Sequence, residues 1–158
     1  MKVRKFREED IRKVAFLKNQ VFSQFNKKEY FEKEAVNRYM EYTNLNKSNE
    51  ELLKAFHGKE GNTTIFLVAE ENKKIIGFIK GRKNKIANLF VLGKYHKKGF
   101  GKKLIEAFEK QAKKSSSKEI RIKASLYATP FYQKMGYKKT TGIRNFMGLK
   151  IQPMKKKF

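Results

Sequence analysis

The sequence predicts a fold of the α/β (α+β) class, in which helices flank a mixed, mostly antiparallel central sheet. Three apolar runs separated by turn residues over 63–92 predict a meander of three strands. An amphipathic helix follows directly, with apolar residues at Leu104, Ile105, Phe108 and Ala112. Alternating apolar and charged residues over 120–124 then predict another strand, so strands and helices are interleaved along the chain.

Length and composition indicate one folded domain over residues 1–158. The chain is 39% hydrophobic and 13% aromatic, which is enough to build a core. It contains no cysteine, which excludes a disulfide framework, a thiolate metal site and a cysteine nucleophile. Its histidines are His57 and His96, so we expect no histidine-based metal site.

We expect neither a membrane span nor an export signal in this sequence. No apolar run approaches the roughly 20 residues that span a bilayer. Residues 1–7 are rich in Lys and Arg and lack the apolar core of a signal peptide. We therefore expect a cytoplasmic protein with no membrane partner.

The first third of the chain predicts an edge strand and three helices. Residues 2–6 suit the strand, and acidic residues before a helical apolar pattern begin the first helix, which ends at 26–27. A second amphipathic segment covers 28–42. Ser48 and Glu51 form a capping box for a third helix, which ends at 58–62. His57, at its last turn, is expected to meet free carbonyl groups.

Turn residues set the limits of the predicted meander. A hairpin turn at 71–74 joins strands over 63–70 and 75–79, and a second turn at 81–85 precedes the strand that Ile86 opens. This third strand leads into the apolar run of residues 89–92, which is followed by a polar crossing to the helix.

The last third of the chain predicts a short helix between strands. Thr129 suits an N-cap, Pro130 the first helical position and Gly136 the helix end. Residues 143–154 predict one further β segment. Pro153 must then lie at a strand end or at a sheet edge, because it has no N–H to donate.

The most informative stretch is the glycine-bearing turn between the third strand and the following helix. Gly99 and Gly101 stand where that helix begins, and a helix start carries unpaired N–H groups and partial positive charge. Without Cβ atoms, these positions let a bulky anion approach the backbone. Four lysines add formal charge around the turn, at Lys97, Lys98, Lys102 and Lys103. The stretch is therefore a candidate pyrophosphate-binding turn, and the alternative is a turn that only ends a strand and starts a helix.

Two segments together resemble the GCN5-related N-acetyltransferase (GNAT) family. The family motif Gln/Arg-x-x-Gly-x-Gly/Ala matches residues 96–101, except that His96 stands where Gln or Arg is usual. The family's closing motif, Asn-x-x-Ala-x-x-Phe-Tyr-x-Lys-x-Gly-Phe/Tyr, matches residues 125–137, except that Ser125 stands where Asn is usual. The two motifs occur in the family's order and separation.

The resemblance implies an acetyltransferase that moves an acetyl group from acetyl-coenzyme A to a primary amine by direct attack in a ternary complex. In the family, coenzyme A binds at the splay between the fourth and fifth strands. The residues assigned to the coenzyme by this resemblance are Leu89, Phe90, Val91, His96, Lys97, Lys98, Gly99, Phe100, Gly101, Lys102 and Ser125. No metal is implied, and the acceptor, a small molecule or a protein amine, is not identified.

The resemblance also implies the catalytic groups. Tyr132 corresponds to the family tyrosine that protonates the departing thiolate, and a phenol with a pKa of about 10 is protonated at neutral pH. A backbone N–H near Phe90 and Val91 is expected to stabilise the oxyanion. Glu34, Glu41 and Glu70 are candidates for a general base, and none of them is assigned that role.

The formal net charge of +24 leaves a second function open. It suits affinity for nucleic acid, affinity for anionic small molecules such as coenzyme A, or a lysine-coated surface without a ligand. The alternative function is a basic nucleic-acid- or ribosome-binding domain without catalysis. The lysines are dispersed along the chain, with a compact run at 155–157, so nucleic acid is not favoured. The protein can be a monomer or a homodimer.

Overall fold

The computed structural model describes residues 1–25, 32–58 and 63–158, which form a mixed sheet with helices on both faces. The strands are β1 (Lys2–Lys5), β2 (Ile65–Glu71), β3 (Lys74–Arg82), β4 (Lys85–Val91), β5 (Glu119–Ser125), β6 (Lys138–Lys139), β7 (Arg144–Phe146) and β8 (Leu149–Lys157). They lie in the order β1-β2-β3-β4-β5-β8-β6, and β7 also pairs with β8. Only the β4–β5 pair is parallel among these strands, which confirms the predicted mostly antiparallel sheet.

Helices cover both faces of the sheet. They are α1 (Ile11–Phe25), α2 (Lys33–Glu41), α3 (Asn49–His57), α4 (Phe100–Lys114) and α5 (Thr129–Lys134). Buried residues of α1 and α3 pack with Val68 and Phe78 on one face. Buried residues of α4 pack with Leu67 and Ile79 on the other face. Since side chains alternate along a strand, each strand of the meander contributes to both cores.

The meander forms as predicted, with slightly different limits. Asn72 and Lys73 form the β2–β3 turn with φ values of 49° and 63°, the left-handed geometry that suits a two-residue hairpin. The second turn is shorter than the predicted 81–85, because β3 continues to Arg82 and β4 begins at Lys85.

The N-terminal part of the prediction is largely confirmed. Strand β1 is an edge strand paired with β2. The Ser48 hydroxyl accepts a hydrogen bond from Glu51 N at 3.2 Å, which caps α3, and Gly58 ends this helix at a φ of 73°. The predicted helix break at 26–27, the start of the second helix at 28 and residues 59–62 lie outside the described residues.

The environment of His57 differs from the prediction. Its ring lies edge-on to the rings of Phe6 and Phe66, with centroids 6.0 and 6.1 Å away. The backbone carbonyl of His57, rather than its imidazole, takes part in the helix end by accepting a hydrogen bond from Thr63 N at 3.2 Å. The aromatic contacts join α3 to the first two strands.

Three C-terminal expectations need correction. Thr129 is the first residue of α5 rather than its N-cap, because its hydroxyl donates back to the Ser125 carbonyl at 3.0 Å. Residues 143–154 form two strands, β7 and most of β8, joined by a turn at Met147 and Gly148 with φ values of 52° and 84°.

Pro153 lies in the middle of β8, not at its end or at the sheet edge. Its carbonyl accepts from Thr140 N at 3.1 Å, so its nitrogen faces the same side, toward β6 and β7. The pairing of β8 on that side is interrupted between β6 and β7 at this level. A missing N–H therefore costs no ladder hydrogen bond.

Candidate active site

The candidate site lies where β4 and β5 separate, which we call the β4–β5 gap. The two strands pair only through Lys85–Arg121 and Ile86–Ile122. Beyond that point β4 remains paired with β3 alone, up to Val91. A parallel pair that opens in this way leaves backbone groups of both strands without a sheet partner.

The hydrogen-bond ladder identifies the backbone groups that face the gap. Leu92 N donates to Ile76 O, and alternation along the antiparallel β3–β4 pair then directs the N–H and C=O groups of Phe90 toward β3. The N–H and C=O groups of Leu89 and Val91 consequently point toward β5. If a backbone N–H in the gap acts as the expected oxyanion donor, the ladder therefore offers Leu89 or Val91 for it, and not Phe90.

The glycine turn lies beside the open end of the gap. Gly99 is the N-cap of α4 with a φ of 86°, and the space around a Cβ at this position is empty within 4 Å. Gly101 lies in the first turn of α4, where a Cβ would be 3.1 Å from the Phe131 ring. The first glycine thus gives access to the backbone N–H groups, and the second allows α4 to approach α5.

The lysines and Phe100 of the turn surround this helix start. Lys97 and Lys98 are exposed, and Lys97 has a φ of 59°. Lys102 is exposed too and makes a long ion pair of 3.9 Å with Glu106, which water screens. The Phe100 ring packs edge-on to Tyr95 at 5.2 Å, which fixes the start of α4 against the preceding turn.

His96 holds the turn against the end of β4. Its Nε2 lies 2.6 Å from the Val91 carbonyl oxygen, and its ring packs against Phe25 at a centroid distance of 4.5 Å. The Tyr127 hydroxyl lies 3.5 Å from Nδ1. The imidazole therefore connects the glycine turn, the end of α1 and the β5–α5 turn around the mouth of the gap.

Tyr132, the predicted acid, lies in the core beside the gap and is 3% exposed. Its ring packs edge-on to Phe131 and Tyr137 at 5.3 and 5.7 Å. Burial raises the pKa of its phenol, so the hydroxyl keeps its proton at neutral pH. Among the described residues its hydroxyl has no hydrogen-bond partner, whereas the neighbouring Tyr137 hydroxyl donates to Glu109 at 3.1 Å.

Ser125 ends β5 and shapes the turn into α5. Its hydroxyl accepts from Ala128 N at 3.2 Å, and its carbonyl accepts from the Thr129 hydroxyl. These bonds fix the position from which α5 presents Tyr132. The serine at the family's asparagine position therefore acts on the geometry of the turn.

Four side chains on the opposite face of the gap were not predicted from sequence, namely Tyr39, Asn88, Lys123 and Phe146. Leu89, Val91 and Ala124 pack toward α4, so the alternate residues Asn88, Phe90 and Lys123 project to the opposite face, on which α1 and α3 pack. The Asn88 amide donates to the Tyr39 hydroxyl at 3.1 Å, and Lys123 Nζ lies 3.6 Å from the centroid of the Phe146 ring. A polar residue within an apolar strand pattern was the signal for Asn88.

Helix α2 is attached to the β7–β8 turn on this side. Glu32 N donates to the Gly148 carbonyl at 3.2 Å, and Arg38 donates to the Met147 carbonyl at 3.3 Å. A Cβ at Gly148 would lie 2.6 Å from the Cβ of Ala35, so only glycine allows this approach. The contact fixes Tyr39 and Phe146 on either side of the gap.

Two buried lysines, Lys18 and Lys80, bind backbone carbonyl groups of the helices on this face of the sheet. Lys18 donates to the Tyr39 carbonyl at 2.8 Å and to the Thr43 hydroxyl at 2.6 Å, and Lys80 donates to the Phe56 carbonyl. Burial lowers the pKa of Lys18 to about 7, with a contribution from Lys80, and burial lowers the pKa of Lys80 to about 8. In the described part of the chain, no carboxylate forms an ion pair with either ammonium group.

The three candidate bases have other surroundings. Glu70 forms an ion pair with Arg4 at 2.9 Å on β2, two strands from β4. Glu41 accepts from the Asn44 amide at 3.2 Å, and Glu34 is exposed on α2. Over residues 1–25, 32–58 and 63–158, no group of acidic residues or histidines has the arrangement of a metal site.

The described helices include none that is long and apolar enough to cross a membrane.

Across residues 6–158 the chain matches the family model described as an acetyltransferase (GNAT) domain. This match covers both the glycine turn of α4 and the β5–α5 segment.

Solved structures of similar fold include a GCN5-related N-acetyltransferase from Rhodopseudomonas palustris, with a TM-score of 0.83, 20% identity and coverage of 99% of this chain and 95% of that one. The PaiA N-acetyltransferase from Thermoplasma acidophilum, solved with coenzyme A, gives a TM-score of 0.76 at 22% identity and covers 99% and 98%. An aminoglycoside 6'-N-acetyltransferase from Enterococcus faecium gives 0.67 at 14% identity and covers 98% and 94%.

The fold and the family model lead to the same conclusion. The open β4–β5 gap and the glycine-capped α4 are the features that the sequence motifs predicted. The chain belongs to the GNAT family and is an acetyltransferase that takes its acetyl group from acetyl-coenzyme A and transfers it to an amine.

Proposed function

We propose that residues 1–158 act as one domain, in which a primary amine attacks acetyl-coenzyme A directly while both substrates are bound. The observation that carries the proposal is the β4–β5 gap, into which the N–H groups of Leu89 and Val91 point. A thioester whose carbonyl oxygen accepts from one of these groups is polarised for attack. The oxyanion that forms is stabilised by the same preorganised donor.

The coenzyme is proposed to lie along β4 with its pyrophosphate at the start of α4. Gly99 leaves the N–H groups of that helix accessible, and Lys97, Lys98 and Lys102 supply positive charge around them. Gly101, Phe100 and His96 fix the shape of the turn through their contacts with Phe131, Tyr95 and Val91, respectively. Ser125 positions the β5–α5 turn on the other side.

In the proposed reaction, the uncharged amine nitrogen forms a bond to the acetyl carbon, and the carbon–sulfur bond breaks. Tyr132 gives its phenolic proton to the departing thiolate of coenzyme A and regains one from solvent. The nitrogen loses one proton to water, which leaves an amide and a free thiol. We assign no protein side chain as the base, since Glu34, Glu41 and Glu70 lie on the surface or in other interactions.

Two measurements test this function. Calorimetric titration with acetyl-coenzyme A should give micromolar binding that survives moderate salt. Initial rates measured while both substrates are varied should give intersecting double-reciprocal lines, as expected when both substrates bind before reaction. Parallel lines would contradict direct attack, and binding that any polyanion matches and salt abolishes would favour the nucleic-acid alternative.

We also propose that the protein acts in the cytoplasm, on the basis of its lack of cysteine. Fractionation of the source cells tests this. The net charge of +24 is proposed to raise the rate of encounter with the phosphates of the coenzyme. This contribution should appear as an association rate that falls with ionic strength.

A further inference from the structure

The acceptor must approach the gap from the face opposite α4, where Tyr39 of α2 contacts Asn88 of β4. The α4 face is filled by the core residues Val91, Ala124, Leu104 and Ile105, all of them buried. On the opposite face the gap is bordered by Asn88 and Phe90 of β4 and by Lys123 of β5. Side chains on this face therefore determine which amines reach the thioester.

Asn88, which borders the gap on the β4 side, can bind an amine without carrying charge. The Asn88 amide uses its N–H to bind the Tyr39 hydroxyl, and among the described residues its Oδ1 has no donor. Burial raises the pKa of Tyr39, so that hydroxyl stays neutral. A carboxamide oxygen held in this way can accept a hydrogen bond from an amine N–H and orient the nitrogen.

Lys123, which borders the gap on the β5 side, is a cation. Lys123 Nζ lies over the Phe146 ring at 3.6 Å and, in the part of the chain that the structure describes, has no carboxylate in ion-pair range. The acidic residue on its own strand, Glu119, already pairs with Arg121 at 2.8 Å and with Lys155 at 3.9 Å. Desolvation and then the neighbouring charge of Lys85 lower the pKa of Lys123. A bound anion would offset the repulsion between the ammonium groups of Lys123 and Lys85.

From this arrangement we propose that the acceptor is a primary amine that also carries a carboxylate or a phosphate. Lys123 binds the anionic group, and Asn88, oriented by Tyr39, positions the amine. The proposal rests on the amine-acetyltransferase function above. It places polycationic acceptors at a disadvantage, because an additional ammonium group would lie beside Lys123 and Lys85.

The test uses acceptors that differ in one group only. β-Alanine, β-alaninamide and 1,3-diaminopropane place a carboxylate, an amide or an ammonium group at the same distance from the reacting amine. A second pair, 2-aminoethyl phosphate and ethanolamine, tests phosphate. We expect kcat/KM to be about 10-fold higher for the anionic member of each set than for the neutral one, and lowest for the diamine.

The variant Lys123→Gln should remove this preference by lowering kcat/KM for the anionic acceptors about 10-fold more than for the neutral ones. Lys123→Glu should reverse the order and favour the diamine. Lys157→Gln removes the same charge at the far end of the β5–β8 pair and is the control, for which the preference should persist.

The possible failures are distinguishable. Equal or better turnover of the neutral amines and the diamine, or an equal effect of Lys123→Gln on every acceptor, would overturn the acceptor class while acetyl transfer itself stands. Failure to bind acetyl-coenzyme A in the calorimetric titration would instead contradict the proposed function.

Discussion

The two sides of the β4–β5 gap are built in different ways. The proposed coenzyme side comprises residues 89–101, a continuous segment that offers mainly backbone N–H groups. The proposed acceptor side comprises side chains from four separate elements, Tyr39 of α2, Asn88 of β4, Lys123 of β5 and Phe146 of β7. A site made of local backbone can be read from sequence spacing, whereas a site made of distant side chains depends on how the elements pack.

The two sides also differ in how well they tolerate amino-acid substitution. On the coenzyme side, the binding groups do not depend on side-chain identity except where a Cβ or a charge blocks access, as at Gly99. On the acceptor side, a single substitution changes the chemistry that the substrate meets. Acceptor choice can therefore vary while coenzyme binding is kept, a contrast that the following predictions can sharpen or contradict.

The largest expected effect is on the coenzyme side. Gly99→Glu places a carboxylate at the start of α4 and a side chain at a φ of 86°, so acetyl-coenzyme A binding should weaken at least ~100-fold. Gly142→Glu adds the same group at another exposed glycine with open space around it and should bind normally. Calorimetry on both variants makes the comparison, and equal affinities would refute the assignment of the turn.

The next effect concerns Tyr132, which is buried in the core on the α4 face of the sheet. Tyr132→Phe should lower kcat about 100-fold, with little change in the KM for acetyl-coenzyme A, because it removes a proton donor rather than a binding contact. Tyr137→Phe is the matched control, since its hydroxyl donates to Glu109 and its loss should lower the melting temperature instead. An unchanged kcat for Tyr132→Phe would rule out its role as the acid.

The third effect is a pH dependence of stability, which we expect from the two buried lysines behind the acceptor side. Lys18 and Lys80 have pKa values of about 7 and about 8 in the folded state against 10.5 as the ordinary value. The unfolded chain therefore binds more protons between about pH 7 and 10.5, and stability rises with pH across this window. A pKa difference of one is worth about 1.4 kcal/mol, so the expected change is several kcal/mol.

Thermal unfolding from pH 7 to 9.5 measures this dependence. Lys18→Met should flatten the rise in melting temperature, because it removes one of the two titrating groups. Lys157→Met removes the same formal charge from an exposed position and should keep the slope of the native protein. If both variants change the slope equally, the dependence reflects net charge rather than the buried lysines.

The smallest effect concerns the β5–α5 turn. Ser125→Ala removes the acceptor of the Ala128 N–H and should cost about 1 kcal/mol of unfolding free energy, a shift of a few degrees in melting temperature. Ser125→Asn, which introduces the family's usual residue, should retain most of the stability, because a carboxamide oxygen can accept the same bond. A larger loss for asparagine than for alanine would contradict this role.

Much of the fold followed from sequence because its signals are local. The meander, the glycine-capped α4 and the end of α5 at Gly136 are set by turn residues, apolar spacing and positive φ. The errors arose where long-range contacts decide. Thr129 bonds back to Ser125, and Pro153 fits inside β8 only because two other strands separate beside it.

The candidate site divides in the same way. Sequence alone predicted the segment proposed to bind the coenzyme, because a glycine turn at a helix start is a property of neighbouring residues. The tertiary structure decided which strand N–H groups face the gap, since the register of β4 against β3 directs Leu89 and Val91 toward β5. It also decided that Tyr39 meets Asn88 and that Lys123 meets Phe146. These contacts depend on the packing of elements that are distant in sequence, 49 residues apart for Tyr39 and Asn88, and no local pattern encodes them.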